Sequence, residues 1–117
     1  MSALSLPLGS SNRLVISPSV AKAHFLNLKV DLTATIDSGA EHLHFSIQDG
    51  RMVPKIYFGA PLVGACREAF PNAGFDVKLG CVESECWIKD FVKAGADIIS
   101  VHPESTLQLG AVINMTQ

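Results

Sequence analysis

A chain of 117 residues with 48% hydrophobic content can bury one core but is small for a closed α/β barrel. Its mean hydropathy of +0.30 points to strands buried on both faces, which lack the polar alternation of a solvated sheet. The net charge is −2 and the nine Lys and Arg are scattered, so no basic face argues for nucleic acid, and no apolar run of about 18 residues is present to span a membrane.

Residues 1–13 are rich in Ser and Leu, with Arg13 the only charge. They read as a disordered lead-in, or as the end of a transit peptide, so a plastid address stands beside a cytoplasmic one. Residues 14–117 read as one domain. Its first predicted strand is the apolar run Leu14–Ile16. The segment His24–Ser38 carries Phe25, Leu28, Leu32 and Ile36 at spacings of three and four, the stripe of an amphipathic helix. His42–Ile47 is the second strand, with His42, His44, Ser46 and Gln48 on one side and Leu43, Phe45 and Ile47 on the other.

Pro61–Phe70 is a second helix, with Pro in its first turn, and Phe75–Leu79 is the third strand. Glu83–Ala94 is a third helix, carrying Trp87, Ile88, Phe91 and Val92 on one stripe. Ile98–His102 is the fourth strand, and Thr106–Asn114 starts a fourth helix. Strand alternating with helix at this pace is the signature of βαβ units and a parallel sheet.

An internal echo supports that reading. Ser38–Ser46 and Ala94–His102 both run small–Gly–Ala–acid into a strand, and each glycine sits where a helix ends and left-handed backbone is favoured. A separation of 56 residues is two βα units, as in a TIM-type (β/α) barrel, of which this chain supplies about the first four units of eight. A small open α/β sheet is the alternative.

The three cysteines, Cys66, Cys81 and Cys86, leave an odd thiol with no CxxC spacing. Reduced thiols of a cytosolic or stromal protein fit better than a disulfide framework or a zinc site.

In a parallel barrel the chemistry lies at the C-terminal ends of the strands, on inward side chains. Strand parity nominates Ser17 and Ser19, then His44, Ser46 and Gln48, then Asp76 and Lys78, and last Ser100, His102 and Glu104. Asp76 and Lys78, two apart on one face, form a candidate ion pair, and His42 with His44 a weaker candidate chelate. No GxxxxGK[ST] or GxGxxG occurs to cradle a nucleotide.

The segments "ISPSV", "FLNL", "LHFSIQDGRMVP", "FGAPLV", "FDVKLG" and "FVKAGADIISVHPE" resemble the ribulose-phosphate 3-epimerase family in order and spacing, from Leu14 to about Asn114. The pattern His-x-x-x-x-Asp-Gly-x-x-Val-Pro, here His44 to Pro54, is the most specific of these. The "ISPS" and "HPE" pieces are also similar to allulose-6-phosphate epimerases. The resemblance implies a (β/α)8 barrel and a reaction that removes a proton from C3 of a pentose phosphate on one face and returns one on the other. That chemistry calls for two carboxylates and a divalent metal such as Zn, Mn or Fe.

The same resemblance implies roles for particular residues. Ser19 contacts substrate, and His44 is a metal ligand. Ser46 stands where the family has an Asp that ligates metal and acts as acid/base. Gln48 replaces a pocket-lining Met, and Lys78 replaces a second metal-binding His. The second catalytic Asp and the phosphate-binding glycines are expected beyond residue 117. An unassisted serine hydroxyl is no base near neutral pH, and an ammonium at a ligand position repels the cation. The chain is therefore expected to bind metal very weakly and to be weak or inactive. A non-catalytic protein that binds a sugar phosphate or a protein partner is the rival reading. Asp76-x-Lys78 also matches the start of an Asp-x-Lys-x-x-Asp motif of related decarboxylases and aldolases, but Cys81 occupies the last position. Open strand edges predict pairing with another copy or with the second half of the barrel.

Overall fold

The computed structural model describes residues 14–116, so the expected lead-in at 1–13 lies outside the described residues. Among the described residues three parallel strands, β1 (His42–Gln48), β2 (Gly74–Gly80) and β3 (Ile98–Val101), form one sheet in that order. Four α-helices among the same residues alternate with them: α1 (Leu28–Asp37), α2 (Ala60–Ala69), α3 (Ile88–Ala94) and α4 (Leu109–Met115). The βαβ pattern expected from the sequence is therefore present. None of the described helices is long and apolar enough to cross a membrane.

One face of the sheet is the core. Leu43, Phe45 and Ile47 of β1 lie beside Phe75, Val77 and Leu79 of β2, and all six are buried. Val63 and Cys66 of α2, Ile88 and Phe91 of α3, Leu32 of α1 and Val112 of α4 join the same cluster. The rings of Phe45 and Phe75 sit 4.8 Å apart, a spacing at which aromatic pairs add to simple burial.

The helix boundaries differ from expectation at points where the backbone has a local reason. The first helix opens with a 3-10 turn at Phe25–Asn27, and the His24 N–H donates to Asp31 Oδ2 at 2.9 Å. Phe25 leaves the apolar stripe and packs edge-on against Phe58, 5.7 Å away. The third helix does not begin at Glu83, which is left-handed (φ 56°), and a 3-10 turn at Ser84–Cys86 precedes α3 with Trp87 (φ −113°) between them. The fourth starts only at Leu109, because Thr106 is extended and its Oγ1 accepts the Gln108 N–H at 3.1 Å.

The expected first strand, Leu14–Ile16, is not formed. It is reduced to one parallel bridge between Ser19 and His44, in which the His44 N–H donates to Pro18 O at 2.9 Å. Pro18 has no N–H to extend the ladder, and among the described residues only β1 flanks this segment. Leu14 and Ile16 stay exposed as a result.

The echoed glycines behave as their position predicts, with φ of +110° at Gly39 and +109° at Gly95. Around Gly95 the N-terminal ends of the strands are clamped by one side chain. Arg67 Nη1 donates to Ala73 O at 2.7 Å and to Phe70 O and Pro71 O at 3.2 Å. Its Nη2 donates to Gly95 O at 2.7 Å and Asp97 Oδ2 at 2.9 Å, and its guanidinium lies 3.8 Å from the Phe75 ring centroid. Asp97 Oδ2 also accepts the Phe75 N–H at 2.8 Å, so the starts of β2 and β3 are held together.

Candidate functional site

The period of two that sends Leu43, Phe45 and Ile47 into the core sends His42, His44, Ser46 and Gln48 to the opposite face. Register then decides their neighbours. His44 lies beside Asp76, Ser46 beside Lys78, Gln48 beside Gly80, and Lys78 beside Ser100 on its other side. The Ser19 bridge adds a fourth contributor next to His44.

Both nitrogens of His44 are engaged. Nδ1 lies 2.8 Å from Asp76 Oδ2, and Nε2 lies 3.1 Å from Ser46 Oγ. An ionised carboxylate only accepts, so the Nδ1 proton donates to Asp76. In the neutral ring Nε2 is then an acceptor, and the Ser46 hydroxyl donates to it. His44 and Asp76 are partly exposed while Ser46 is buried, so the row meets solvent at His44 and Asp76.

The candidate Asp76–Lys78 ion pair is not formed. Side chains two apart on a strand are farther from each other than cross-strand neighbours, and His44 takes the carboxylate. The Lys78 ammonium has no hydrogen-bond or ion-pair partner among the described residues. Nor do His42 and His44 act as a pair: His42 is buried over Gly74, where an added Cβ would lie 2.9 Å from its ring, and its Nε2 has no partner among the described residues. Gln48 Oε1 and Ser17 Oγ are likewise buried without a partner among these residues. Ser100 is exposed, while His102 Nδ1 and Glu104 Oε1 make a loose, solvent-facing contact at 3.7 Å after β3.

Asp49, in the turn after β1, is a loop anchor. Its Oδ1 accepts the N–H groups of Arg51 and Met52, both at 2.9 Å, and its Oδ2 accepts that of Val82 at 2.8 Å. These amides, that of Val82 foremost, hold its carboxyl below the usual range. Burial, with a lesser push from the Asp49 charge, raises the Cys81 thiol to about 11. A cleft of about 290 Å³ lies beyond the end of β1, lined by Ile47, Gln48, Phe58, Cys81 and Trp87 among others.

Residues 15–117 match the model of the ribulose-phosphate 3 epimerase family. The chain belongs to this family. It is 43% identical over 94 residues to a ribulose-phosphate 3-epimerase of Synechocystis sp., covering 80% of this chain and 40% of that protein. It is 39% identical over 107 residues to the chloroplastic ribulose-5-phosphate-3-epimerase of Arabidopsis thaliana, covering 90% of this chain and 38% of that protein. A Bacillus subtilis ribulose-phosphate 3-epimerase is 35% identical over 100 residues, covering 86% of this chain and 46% of that protein. The chain thus spans less than half the length of the epimerases it matches. Its three-stranded parallel sheet is part of the TIM-type barrel of the ribulose-phosphate 3-epimerase family, whose expected first strand is here a single bridge.

The family implies a divalent metal at His44 and its neighbours. No group of three or more His, Cys, Asp or Glu side chains able to hold a metal ion occurs among the described residues. His44 supplies one imidazole whose Nδ1 is held by Asp76, its strand neighbour Ser46 offers only a neutral hydroxyl, and the position beside Ser46 is the Lys78 ammonium. This donor set does not fit a divalent cation.

Sequence parity found the face and its residues, but it missed that Asp76 and Ser46 are the two partners of His44. The signal lay in the pairing register, which strand patterns alone do not fix. It also missed the clamp between Arg67 and Asp97, whose acceptors are mostly backbone carbonyls and so leave no trace in residue types.

Proposed function

We propose that this part of the barrel binds a pentose phosphate on its polar sheet face without carrying out the epimerisation. The observation that carries this reading is the hydrogen bond between Ser46 Oγ and His44 Nε2 at 3.1 Å. It puts a hydroxyl, donating into an imidazole, at the position to which the family resemblance assigns the acid/base carboxylate. A hydroxyl so placed does not take a proton from C3 of a sugar near neutral pH, because its conjugate acid is far too strong. Metal binding is weak in this reading, since Lys78 repels a cation and Ser46 is a poorer ligand than the carboxylate it replaces.

Ser19, His44, Gln48 and Lys78 are the proposed substrate contacts. What supports Lys78 is an ammonium with no partner among the described residues, the chemistry that binds a phosphate or stabilises an enediolate. Gln48 offers a buried Oε1 with no partner among the described residues, suited to a sugar hydroxyl. The outer edge of β3 and the exposed Leu14 and Ile16 are proposed to be covered by the second half of the barrel or by another copy. A cytoplasmic or plastid setting is proposed from the three free cysteines.

A coupled assay with ribulose 5-phosphate, with and without added Mn or Zn, is expected to show no turnover. Metal-dependent turnover would overturn the claim of lost chemistry. In parallel, the NMR signal of the Lys78 side-chain end is expected to shift on adding ribulose 5-phosphate. An unmoved signal would remove Lys78 from the binding site.

A further inference from the structure

The three side chains Asp76, His44 and Ser46 are strung in one line of hydrogen bonds. The carboxylate faces Nδ1 at 2.8 Å and the hydroxyl faces Nε2 of the same ring at 3.1 Å. That order, carboxylate to Nδ1 and hydroxyl to Nε2, is the arrangement in which a histidine activates a serine, and it is recognised by geometry rather than by chain position. We propose that Ser46 Oγ is a nucleophile that takes the acyl group of small activated esters, with His44 as its base and Asp76 as the residue that positions His44.

The geometry supplies each part of the step. Ser46 Oγ bonds to the ester carbonyl carbon while its proton moves to His44 Nε2. The tetrahedral intermediate then expels the alcohol, which leaves with the proton from His44, so an acyl-serine remains. Water reverses the sequence: its proton goes to Nε2, the acid is released, and Ser46 Oγ regains the proton. Asp76 holds the Nδ1–H and so keeps Nε2 free to act. Lys78, beside Ser46 in the strand register and without a partner among the described residues, is the cation nearest in register to the developing oxyanion. The substrate is small because Ser46 is only 9% exposed, which admits an acetyl group more readily than a long chain. This activity is independent of the epimerase chemistry and uses none of its metal.

The test is acylation of the full chain with p-nitrophenyl acetate, read by mass spectrometry of the digested protein so that Ser46 is separated from lysines and Cys86. The folded protein is expected to carry an acetyl group on Ser46, while the urea-unfolded chain carries none there under the same exposure. His44→Gln is expected to slow Ser46 acylation about 100-fold, the usual contribution of a general base. Asp76→Asn is expected to slow it at least about tenfold with unchanged circular dichroism. An unmodified Ser46 with no release of p-nitrophenolate above the urea-unfolded chain overturns the proposal, as does modification at the same rate in His44→Gln. Should His44→Gln fail to fold, Asp76→Asn and the folded-to-unfolded ratio decide, and rates equal to wild type or to the unfolded chain overturn it.

Discussion

Replacing Arg67 by Ala removes the clamp at the N-terminal ends of β2 and β3. The guanidinium makes two short bonds of 2.7 Å, to Ala73 O and Gly95 O, and each contributes about 1 kcal/mol net of the water it displaces. The ion pair to Asp97 is about one-fifth exposed on both sides, so about 0.5 kcal/mol is assigned to it after screening. Stacking over Phe75 contributes about 0.5–1 kcal/mol. The two bonds at 3.2 Å, to Phe70 O and Pro71 O, are treated as replaceable by water. The expected loss is about 3 kcal/mol. At a urea slope of about 1–1.5 kcal/mol per molar, the unfolding midpoint followed by far-UV circular dichroism falls by about 2–3 M with the slope unchanged. Arg67→Lys keeps one charge but not the fork, and is expected to lose about half as much. An Arg67→Ala midpoint within about 0.5 M of wild type would refute the reasoning, because it would mean that water serves these carbonyls equally well.

Asp49 is held ionised by the amides of Val82, Met52 and Arg51, so its folded pKa lies below its unfolded value. Its contribution is full above about pH 4 and is lost as the pH falls through the folded value, so the stability gap between wild type and Asp49→Asn narrows on acidification. Urea unfolding of both proteins at neutral pH and below pH 4 checks this, and a gap that stays constant contradicts it. Cys66 and Cys81 are buried and both thiols are pushed up, Cys81 to about 11, while Cys86 is exposed. An aromatic disulfide reagent at pH 8 is expected to react fast at Cys86 alone and at all three only after unfolding. Gly74→Ala places a methyl 2.9 Å from the His42 ring and is expected to cost about 1–3 kcal/mol in a thermal melt. His42→Ala is expected to recover part of that loss in the double variant.

Much of this fold was legible because its signals are local. β1 and β2 fall within one residue of the runs His42–Ile47 and Phe75–Leu79, since both carry large apolar residues that a core needs. Pro61 marked the first turn of α2, and Gly39 and Gly95 marked left-handed helix ends. What failed depended on partners or on single backbone twists. Leu14–Ile16 has the composition of a strand but only a one-sided neighbour and a proline after it. Glu83 at φ 56° has no residue-type signal, since an L side chain rarely adopts that conformation. At the site, parity put His44, Ser46, Asp76 and Lys78 on one face. It did not say that Asp76 would pair with His44 across the strands, because that is a matter of register.

The claim that Ser46 and Lys78 have displaced proton abstraction is tested most directly by hydrogen exchange at the substrate. Ribulose 5-phosphate is incubated with the protein in D2O, with Mn, with Zn and without metal, and its C3–H signal is followed by NMR. The signal is expected to decay no faster than in a protein-free control under all three conditions. Faster loss of the C3–H signal with either metal would show that this chain abstracts the proton after all, and would contradict it.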